Sequence, residues 1–390
     1  MSFPRSLGRF LFVIWQSGGG TQPELGLARL IAARGHAVHV LAPEIHRARV
    51  EAAGCEWVAM PPECEFDPSK GRALEDQWEE FLKPTLWGLR IPEALLDAAE
   101  MHRPDVVVID QQLRSTLSAA ERIGVKQVTF AHTAYRFHGS FRSDWAEEDA
   151  AMTNEARAQL GLESISLHGR PVSIELMDRA DSVLVAMLPE FDPWEEPLDN
   201  VVHVGPLFEE DVSELAWESP WPSDDGEPLV VVSLSSMYMH QEDLLARIFR
   251  ALDGLSARVL LLTGTEFDAR EVDVPSQVVA RKCVPHLVVL PHADLLITHG
   301  GMGTIMAAFA CAVPLVCIPL GRDQDGNCAR VEELGAGVGL PQDANAATIR
   351  DATVRTLEAS DIRDAAARMA GVVASYGGGV RAVTELEGLL

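Results

Sequence analysis

The sequence is short of basic residues. Its 390 residues include 32 Lys and Arg against 58 Asp and Glu, which gives a formal net charge of −26 at pH 7. Nucleic acids and anionic membrane surfaces are bound through clusters of Lys and Arg, and no run rich in these residues occurs. We therefore expect neither a nucleic-acid partner nor a stable association with membranes.

Long hydrophobic runs and paired cysteines are also lacking. A helix that spans a bilayer needs about 20 apolar residues, whereas the amino-terminal run Phe10–Trp15 is short and leads into Ser17-Gly18-Gly19-Gly20. The six cysteines form no Cys-x-x-Cys pair and show no zinc-type spacing with histidine. These absences exclude a spanning helix and favour a soluble protein of the reducing cytoplasm.

What the sequence does contain is a regular alternation of apolar runs with helical patterns. Pro23–Arg34 has helical spacing and lies between the apolar runs Phe10–Trp15 and Ala37–Ala42, and Gly35 suits the end of a helix. Strand, glycine-rich turn, helix and strand form a βαβ unit, which predicts a parallel α/β sheet. Further strands are predicted at Asp105–Asp110, Gln127–Ala131, Ser182–Met187, Val201–Val204, Leu229–Leu234, Arg258–Thr263, Gln277–Ala280, Asp294–Thr298 and Pro314–Pro319.

An acidic, proline-rich stretch interrupts this alternation and predicts two domains. Residues 1–207 form the first α/β domain, 208–228 a linker, 229–370 a second α/β domain, and 371–390 a last helix that packs back towards the first domain. We expect two facing Rossmann-like domains with a cleft between them, because ligands bind at the carboxyl ends of the strands in open α/β sheets.

The strongest local motif is Thr298-His299-Gly300-Gly301-Met302-Gly303-Thr304. It lies between a predicted strand and a predicted helix, where glycines let backbone N–H groups approach a ligand and the helix start carries a partial positive charge. This pattern predicts a phosphate-binding loop, with His299 as an additional hydrogen-bond donor. A tight turn without a ligand is the alternative interpretation of the glycines.

A polar pair follows the next predicted strand. Asp323 and Gln324 come after Pro314–Pro319, and a carboxylate beside an amide can accept and donate hydrogen bonds to sugar hydroxyls. Taken alone, the pair is equally consistent with a solvated loop.

Together these motifs resemble the donor-binding signature of nucleotide-sugar glycosyltransferases of the GT-B fold. The closest branch is the bacterial natural-product and macrolide-type group of family 1, which is related to the UDP-glucuronosyltransferases. The amino-terminal segment from Pro23 to His36 resembles the same family. The residues that carry the carboxyl-terminal resemblance are His299 to Thr304, Val313-Pro314, Asp323-Gln324, Asn327 and Leu334 to Val338.

The resemblance implies a set of donor-binding residues. His299 and the loop after it would hold the diphosphate, Asp323 and Gln324 would contact the sugar, and two further pairs would flank the base and the phosphates. The full set is Ser235, Ser236, Val284, His286, His299, Gly301, Met302, Gly303, Thr304, Asp323 and Gln324. It implies no cofactor and no metal ion, with the nucleoside-diphosphate sugar as co-substrate.

The resemblance also implies a catalytic residue and exposes two departures. Asp110 matches the acidic member of the family's catalytic dyad, but Gly20 stands where the family has its histidine, so by this alignment Asp110 has no histidine to orient. Ala307 replaces a glutamate that often contacts the ribose. Three alternatives for the general base remain: Asp110 acts alone, the acceptor needs little activation, or His132, which follows a predicted strand, substitutes.

Aromatic residues of the first domain are the candidates for an acceptor site. Trp15, Gly20, Trp78, Trp87 and Phe137 are predicted to line an apolar pocket, although core packing is an equally ordinary role for such side chains. The expected function is inverting transfer from a dTDP- or UDP-sugar to a small, largely apolar aglycone. The alternative is a non-catalytic auxiliary subunit that binds the nucleotide sugar, and a homodimer is left open as the assembly.

Overall fold

The computed structural model describes residues 7–134, 143–193, 198–209, 215–221, 226–264, 270, 272–282, 284–377 and 379–390. The chain forms two compact units. The first contains Met1–Glu209 together with Tyr376–Leu390, and the second contains Glu210–Ser375.

Each unit is built on one parallel sheet, which confirms the predicted α/β class. The sheet of the first unit has seven strands in the order β3-β2-β1-β4-β5-β6-β7, and that of the second has six in the order β10-β9-β8-β11-β12-β13. The strands are β1 (Arg9–Val13), β2 (Ala37–Ala42), β3 (Glu56–Ala59), β4 (Val106–Asp110), β5 (Lys126–Ala131), β6 (Ser182–Val185), β7 (Val201–His203), β8 (Leu229–Ser233), β9 (Arg258–Leu262), β10 (Val278–Arg281), β11 (Leu295–Thr298), β12 (Leu315–Cys317) and β13 (Gly337–Gly339).

Helices connect the strands, as parallel pairing requires. They are α1 (Thr21–Ala33), α2 (Arg47–Ala52), α3 (Lys83–Trp87), α4 (Arg90–His102), α5 (Arg114–Ala120), α6 (Ser143–Gln159), α7 (Val172–Asp178), α8 (Glu242–Leu252), α9 (His286–Val289), α10 (Met302–Ala310), α11 (Gln324–Glu333), α12 (Ala346–Glu358), α13 (Ser360–Tyr376) and α14 (Gly379–Glu387). Short 3₁₀ turns occur at Glu44–His46, Pro62–Cys64, Leu74–Gln77 and Leu290–His292, and a π turn at Trp78–Leu82.

The core of the first unit explains why the apolar runs form strands. All five residues of β4 are buried, because helices cover both faces of a parallel sheet and leave no solvent face for polar side chains. The last helix, α14, packs against α1: Ala382 and Leu386 join the core that contains Leu27, and Glu387 pairs with Arg34 at 3.0 Å.

Every strand predicted from an apolar run is present. The structure also contains two strands, β3 and β13, that no apolar run predicted. Glu56–Ala59 forms the edge strand β3 and is only partly buried, so it lacks the apolar pattern of an interior strand. Gly337–Gly339 forms β13, and because two of its three residues are glycines it has no apolar pattern that would predict a strand. Both are recognised only through their pairing with β2 and β12.

Within the described ranges, no helix is long and apolar enough to cross a lipid bilayer. The described parts of residues 208–228 contain neither helix nor strand.

Candidate active-site residues in the two units

The glycine-rich loop of the second unit is shaped by close contacts. Gly300 has φ +86°, and a Cβ there would lie 2.6 Å from Sγ of Cys328 on α11. A Cβ on Gly301 would lie 2.6 Å from Nε2 of His299. Glycine is therefore needed at both positions, at the first for its backbone conformation and at the second for the imidazole beside it.

His299 is held as a neutral imidazole. It is 7% exposed, and burial, assisted by Arg322 and His286, lowers its pKa to about 3. At neutral pH the ring therefore carries one N–H and one lone pair, and it can donate one hydrogen bond without adding charge.

The loop ends in an uncapped helix start. Gly301 is extended (φ −64°, ψ 134°) and precedes Met302, the first residue of α10, and no described side chain caps this end. The first amides of a helix have no partner within the helix. Those of Met302, Gly303 and Thr304 are therefore available to an anion, and the helix dipole favours negative charge there.

Asn327 links the polar pair after β12, Asp323 and Gln324, to the glycine-rich loop by hydrogen bonds. The side-chain N–H₂ of Asn327 donates to Oδ2 of Asp323 and to the carbonyl of Gly300, both at 3.0 Å. Oε1 of Gln324 accepts from the amides of Leu320 and Gly321 at 2.7 and 3.2 Å. Asp323 thus keeps its second oxygen for a ligand, whereas the oxygen of Gln324 already holds its own loop.

Arg322, which precedes Asp323 in the loop after β12, is a candidate residue that the sequence analysis missed. It is exposed and has a left-handed backbone (φ 59°), and its charge reaches His299 strongly enough to lower the pKa of that imidazole. A left-handed arginine costs roughly 1 kcal/mol or more. The loop after β12 therefore brings a cation within electrostatic range of His299.

The remaining predicted donor residues surround the ends of β8 and α9. Oγ of Ser235 accepts from the amide of Met237 at 3.2 Å, whereas Ser236 is exposed. Nε2 of His286 lies 2.9 Å from Oγ of Ser233, and loss of water around the ring lowers the pKa of His286 to about 4. Val284 lies two residues before His286 and is partly exposed. Direct contact of these residues with a donor stays a prediction.

In the first unit, Asp110 and His132 come together. Asp110 is the last residue of β4, and His132 follows β5, which pairs with β4 so that Asp110 faces Phe130. Oδ2 of Asp110 lies 3.2 Å from Nδ1 of His132, at ion-pair distance rather than in an aligned hydrogen bond. Its Oδ1 accepts from the amide of Gln112 at 2.7 Å. Asp110 therefore has a histidine within ion-pair distance although position 20 is glycine, and the choice among the three alternatives for the general base stays a prediction.

Gly20 lies directly against His132. A Cβ on Gly20 would lie 2.8 Å from both Cε1 and Nδ1 of His132 and 2.7 Å from Oγ of Ser17. The imidazole of His132 thus occupies the space that a side chain at position 20 would enter. Gly20 precedes α1, and its backbone (φ −76°, ψ −34°) is open to any residue.

A buried carboxyl group accompanies this pair. Glu24, in the first turn of α1, is 1% exposed, and its Oε2 has no hydrogen-bond partner among the described residues. Burial, and then the charge of Asp110, raise the pKa of Glu24 well above its usual 4.5. Both causes favour the protonated form of Glu24 over the carboxylate.

The predicted acceptor aromatics form two groups. Trp15 is 3% exposed and packs against Phe81 with ring centroids 6.3 Å apart. Trp78 contacts Trp87 at 5.9 Å and Trp145 at 5.1 Å. Phe137 lies outside the described residues. The grouping of the three tryptophans places apolar surface together, and their contact with an acceptor stays a prediction.

Comparisons with known proteins agree with this architecture. Residues 247–389 match the family model for the carboxyl-terminal domain of erythromycin biosynthesis protein CIII-like proteins. Demethyllactenocin mycarosyltransferase from Streptomyces fradiae is 30% identical over 98% of this chain and 87% of its own length. Oleandomycin glycosyltransferase from Streptomyces antibioticus is 27% identical over 95% of this chain and 88% of its own length.

Solved structures give the same result. The calicheamicin glycosyltransferase CalG4 superposes with a TM-score of 0.77 at 25% identity and 98% coverage of both chains. VinC, solved in complex with dTDP, superposes with a TM-score of 0.70 at 19% identity over 97% of this chain and all of its own, a likeness of fold alone.

Two parallel α/β units with a glycine-rich loop before α10 define a glycosyltransferase of the GT-B class. The chain belongs to the bacterial natural-product glycosyltransferases of family 1.

Proposed function

We propose that this chain transfers a sugar, with inversion at the anomeric carbon, from a dTDP- or UDP-sugar to a small, largely apolar natural-product aglycone. The relatives named for mycarose transfer and for oleandomycin support a natural-product acceptor, and the dTDP complex of VinC supports the donor class. The observation that carries the proposal is the 3.2 Å approach of His132 to Asp110 beside Gly20.

His132 is the proposed general base. Because Nδ1 faces the Asp110 carboxylate, the proton of the neutral ring is assigned to Nδ1, which leaves the lone pair on Nε2. Nε2 takes the proton of the acceptor hydroxyl as its oxygen bonds to the anomeric carbon, and Asp110 stabilises the imidazolium that forms. A base in this role contributes about 10²–10⁴-fold to the rate.

The leaving group is stabilised in the second unit. As the bond from the anomeric carbon to the phosphate oxygen breaks, negative charge develops on the diphosphate. The uncapped amides of Met302, Gly303 and Thr304 and the N–H of His299 would bind it, and Arg322 would add longer-range attraction. A single displacement inverts the anomeric centre.

We further propose that no metal ion or cofactor takes part, because the helix start and His299 supply the donors that a diphosphate needs. Turnover is expected to be the same in the presence and absence of a chelator, assayed well below the unfolding temperature. A loss of turnover that added Mg²⁺ restores would refute this part.

A second candidate is a non-catalytic auxiliary subunit, and Gly20 is the feature that favours it. Incubation of the purified protein with UDP- or dTDP-sugars and a panel of macrolide-type aglycones separates the two. The enzyme releases one diphosphate for each glycoside detected by mass spectrometry. Binding of the nucleotide sugar without diphosphate release from any acceptor supports the auxiliary role.

A further inference from the structure

Three metal-ligating side chains meet on the first unit, away from the residues discussed so far. They are His39 on β2, Glu56 on β3 and His102 at the end of α4, and one ligand atom of each lies within 4.8 Å of the others. Nε2 of His39 is 3.3 Å from Oε2 of Glu56. The rings of His39 and His102 have centroids 4.0 Å apart.

Strand pairing brings His39 and Glu56 together, and the end of helix α4 adds His102. β2 and β3 pair in parallel with His39 opposite Glu56, and side chains at directly paired positions point to the same face of a sheet. His102 is the last residue of α4, which ends at Arg103 in a left-handed conformation (φ 48°). The carboxyl end of a helix carries partial negative charge and favours a cation beside it.

The donor set and spacing are those of a zinc-type ion. Two imidazoles and one carboxylate are common zinc ligands, with bonds of about 2.0–2.2 Å in a tetrahedron whose ligand atoms are therefore roughly 3.3 Å apart. The His39–Glu56 separation of 3.3 Å already has this value. The ligand atom of His102 lies within 4.8 Å of the other two, so tetrahedral spacing requires a shift of at most about 1.5 Å. His102 is partly exposed at the end of its helix, which leaves room for that shift.

We propose that His39, Glu56 and His102 bind a divalent transition-metal ion of the zinc class, with water at the fourth position. His39 is the third residue of β2 and Glu56 the first of β3, whereas Asp110 and His132 lie at the carboxyl ends of their strands. The ion would therefore connect the edge strand β3 to α4 and would not act on substrate. This proposal is independent of the one for glycosyl transfer.

The test is calorimetric titration of zinc chloride into the chelator-treated, full-length protein. We expect one ion per chain, and His102→Ala and Glu56→Gln should each weaken binding at least tenfold. Both side chains are at least partly exposed, so both variants should fold. His168→Ala is the matched control, because His168 also lies beside a carboxylate, 3.7 Å from Glu175, but belongs to no three-ligand group among the described residues.

The same variants give a second measurement. Zinc should raise the unfolding temperature of the wild type and of His168→Ala but not of His102→Ala. The proposal is overturned if wild-type protein binds no zinc at millimolar concentration, or if His102→Ala and Glu56→Gln bind it as tightly as the wild type.

Discussion

Replacing Gly20 by alanine should disable His132 without unfolding the protein. The added Cβ would lie 2.8 Å from Cε1 and Nδ1 of His132, whereas ordinary contact begins near 3.4 Å, so the ring must retreat by about 0.6 Å. This displaces the ring from its present position, 3.2 Å from Asp110. Because a misplacement of about 1 Å can cost 100-fold, we expect kcat to fall by about 10- to 100-fold.

The protein should nevertheless stay folded. The backbone of Gly20 is in the right-handed helical region (φ −76°, ψ −34°), so alanine strains no dihedral, and crowding of His132 and Ser17 should cost about 1–3 kcal/mol of unfolding free energy. Gly19→Ala is the matched control, because a Cβ there meets nothing within 4 Å. The assay is diphosphate release at saturating donor together with thermal unfolding. Wild-type kcat in Gly20→Ala would refute the assignment of His132.

A second test moves the proposed base from position 132 to position 20. In the double variant His132→Ala with Gly20→His, the new imidazole starts from the residue before α1 and enters the volume that His132 leaves. We expect this variant to recover at least tenfold of the activity lost in His132→Ala. An equally inactive double variant would mean that the geometry around Asp110 is specific to a histidine at position 132.

Two further predictions concern the donor loop and the buried carboxyl. Gly301→Ala should weaken dTDP or UDP binding at least tenfold in calorimetry, because its Cβ would lie 2.6 Å from Nε2 of His299. Gly371→Ala, where a Cβ meets open space, is the control and should bind as the wild type does. Equal affinities of the two variants would contradict the role of the loop. Glu24→Gln should stabilise the fold more at pH 8 than at pH 5, because burial and Asp110 raise the pKa of Glu24. Above the ordinary pKa of 4.5, the unfolded chain loses a proton that the folded chain keeps. The stability of the wild type therefore falls as the pH rises towards the raised pKa, and glutamine removes this loss. An unfolding temperature that changes equally at both pH values would contradict this.

The sequence predicts the interior of this fold better than its edges. β4 and β5 are recognisable because buried parallel strands require continuous apolar residues. The edge strand Glu56–Ala59 has a solvent side and no such run. The glycine-rich loop was predictable in the same way, because glycine is required by the left-handed backbone at Gly300.

The pairing of Asp110 with His132 could not be obtained from the sequence alone. It depends on β4 and β5 being neighbours in the sheet, and sequence order does not fix strand order. The sequence marked Asp110 through the family resemblance, and His132 only as a polar side chain that follows an apolar strand. The contribution of Arg322 was hidden for a related reason, since its influence on His299 depends on how two loops fold together.

The most direct test of the account is the turnover number of His132→Gln, measured by diphosphate release at saturating donor and acceptor. Glutamine keeps hydrogen-bonding capacity at this position but cannot accept the proton, so we predict a 10²–10⁴-fold fall in kcat with donor affinity unchanged. His168→Gln, on an exposed histidine of the same unit, should retain full activity. A His132→Gln enzyme that turns over at the wild-type rate would contradict the central claim that His132, oriented by Asp110, is the general base.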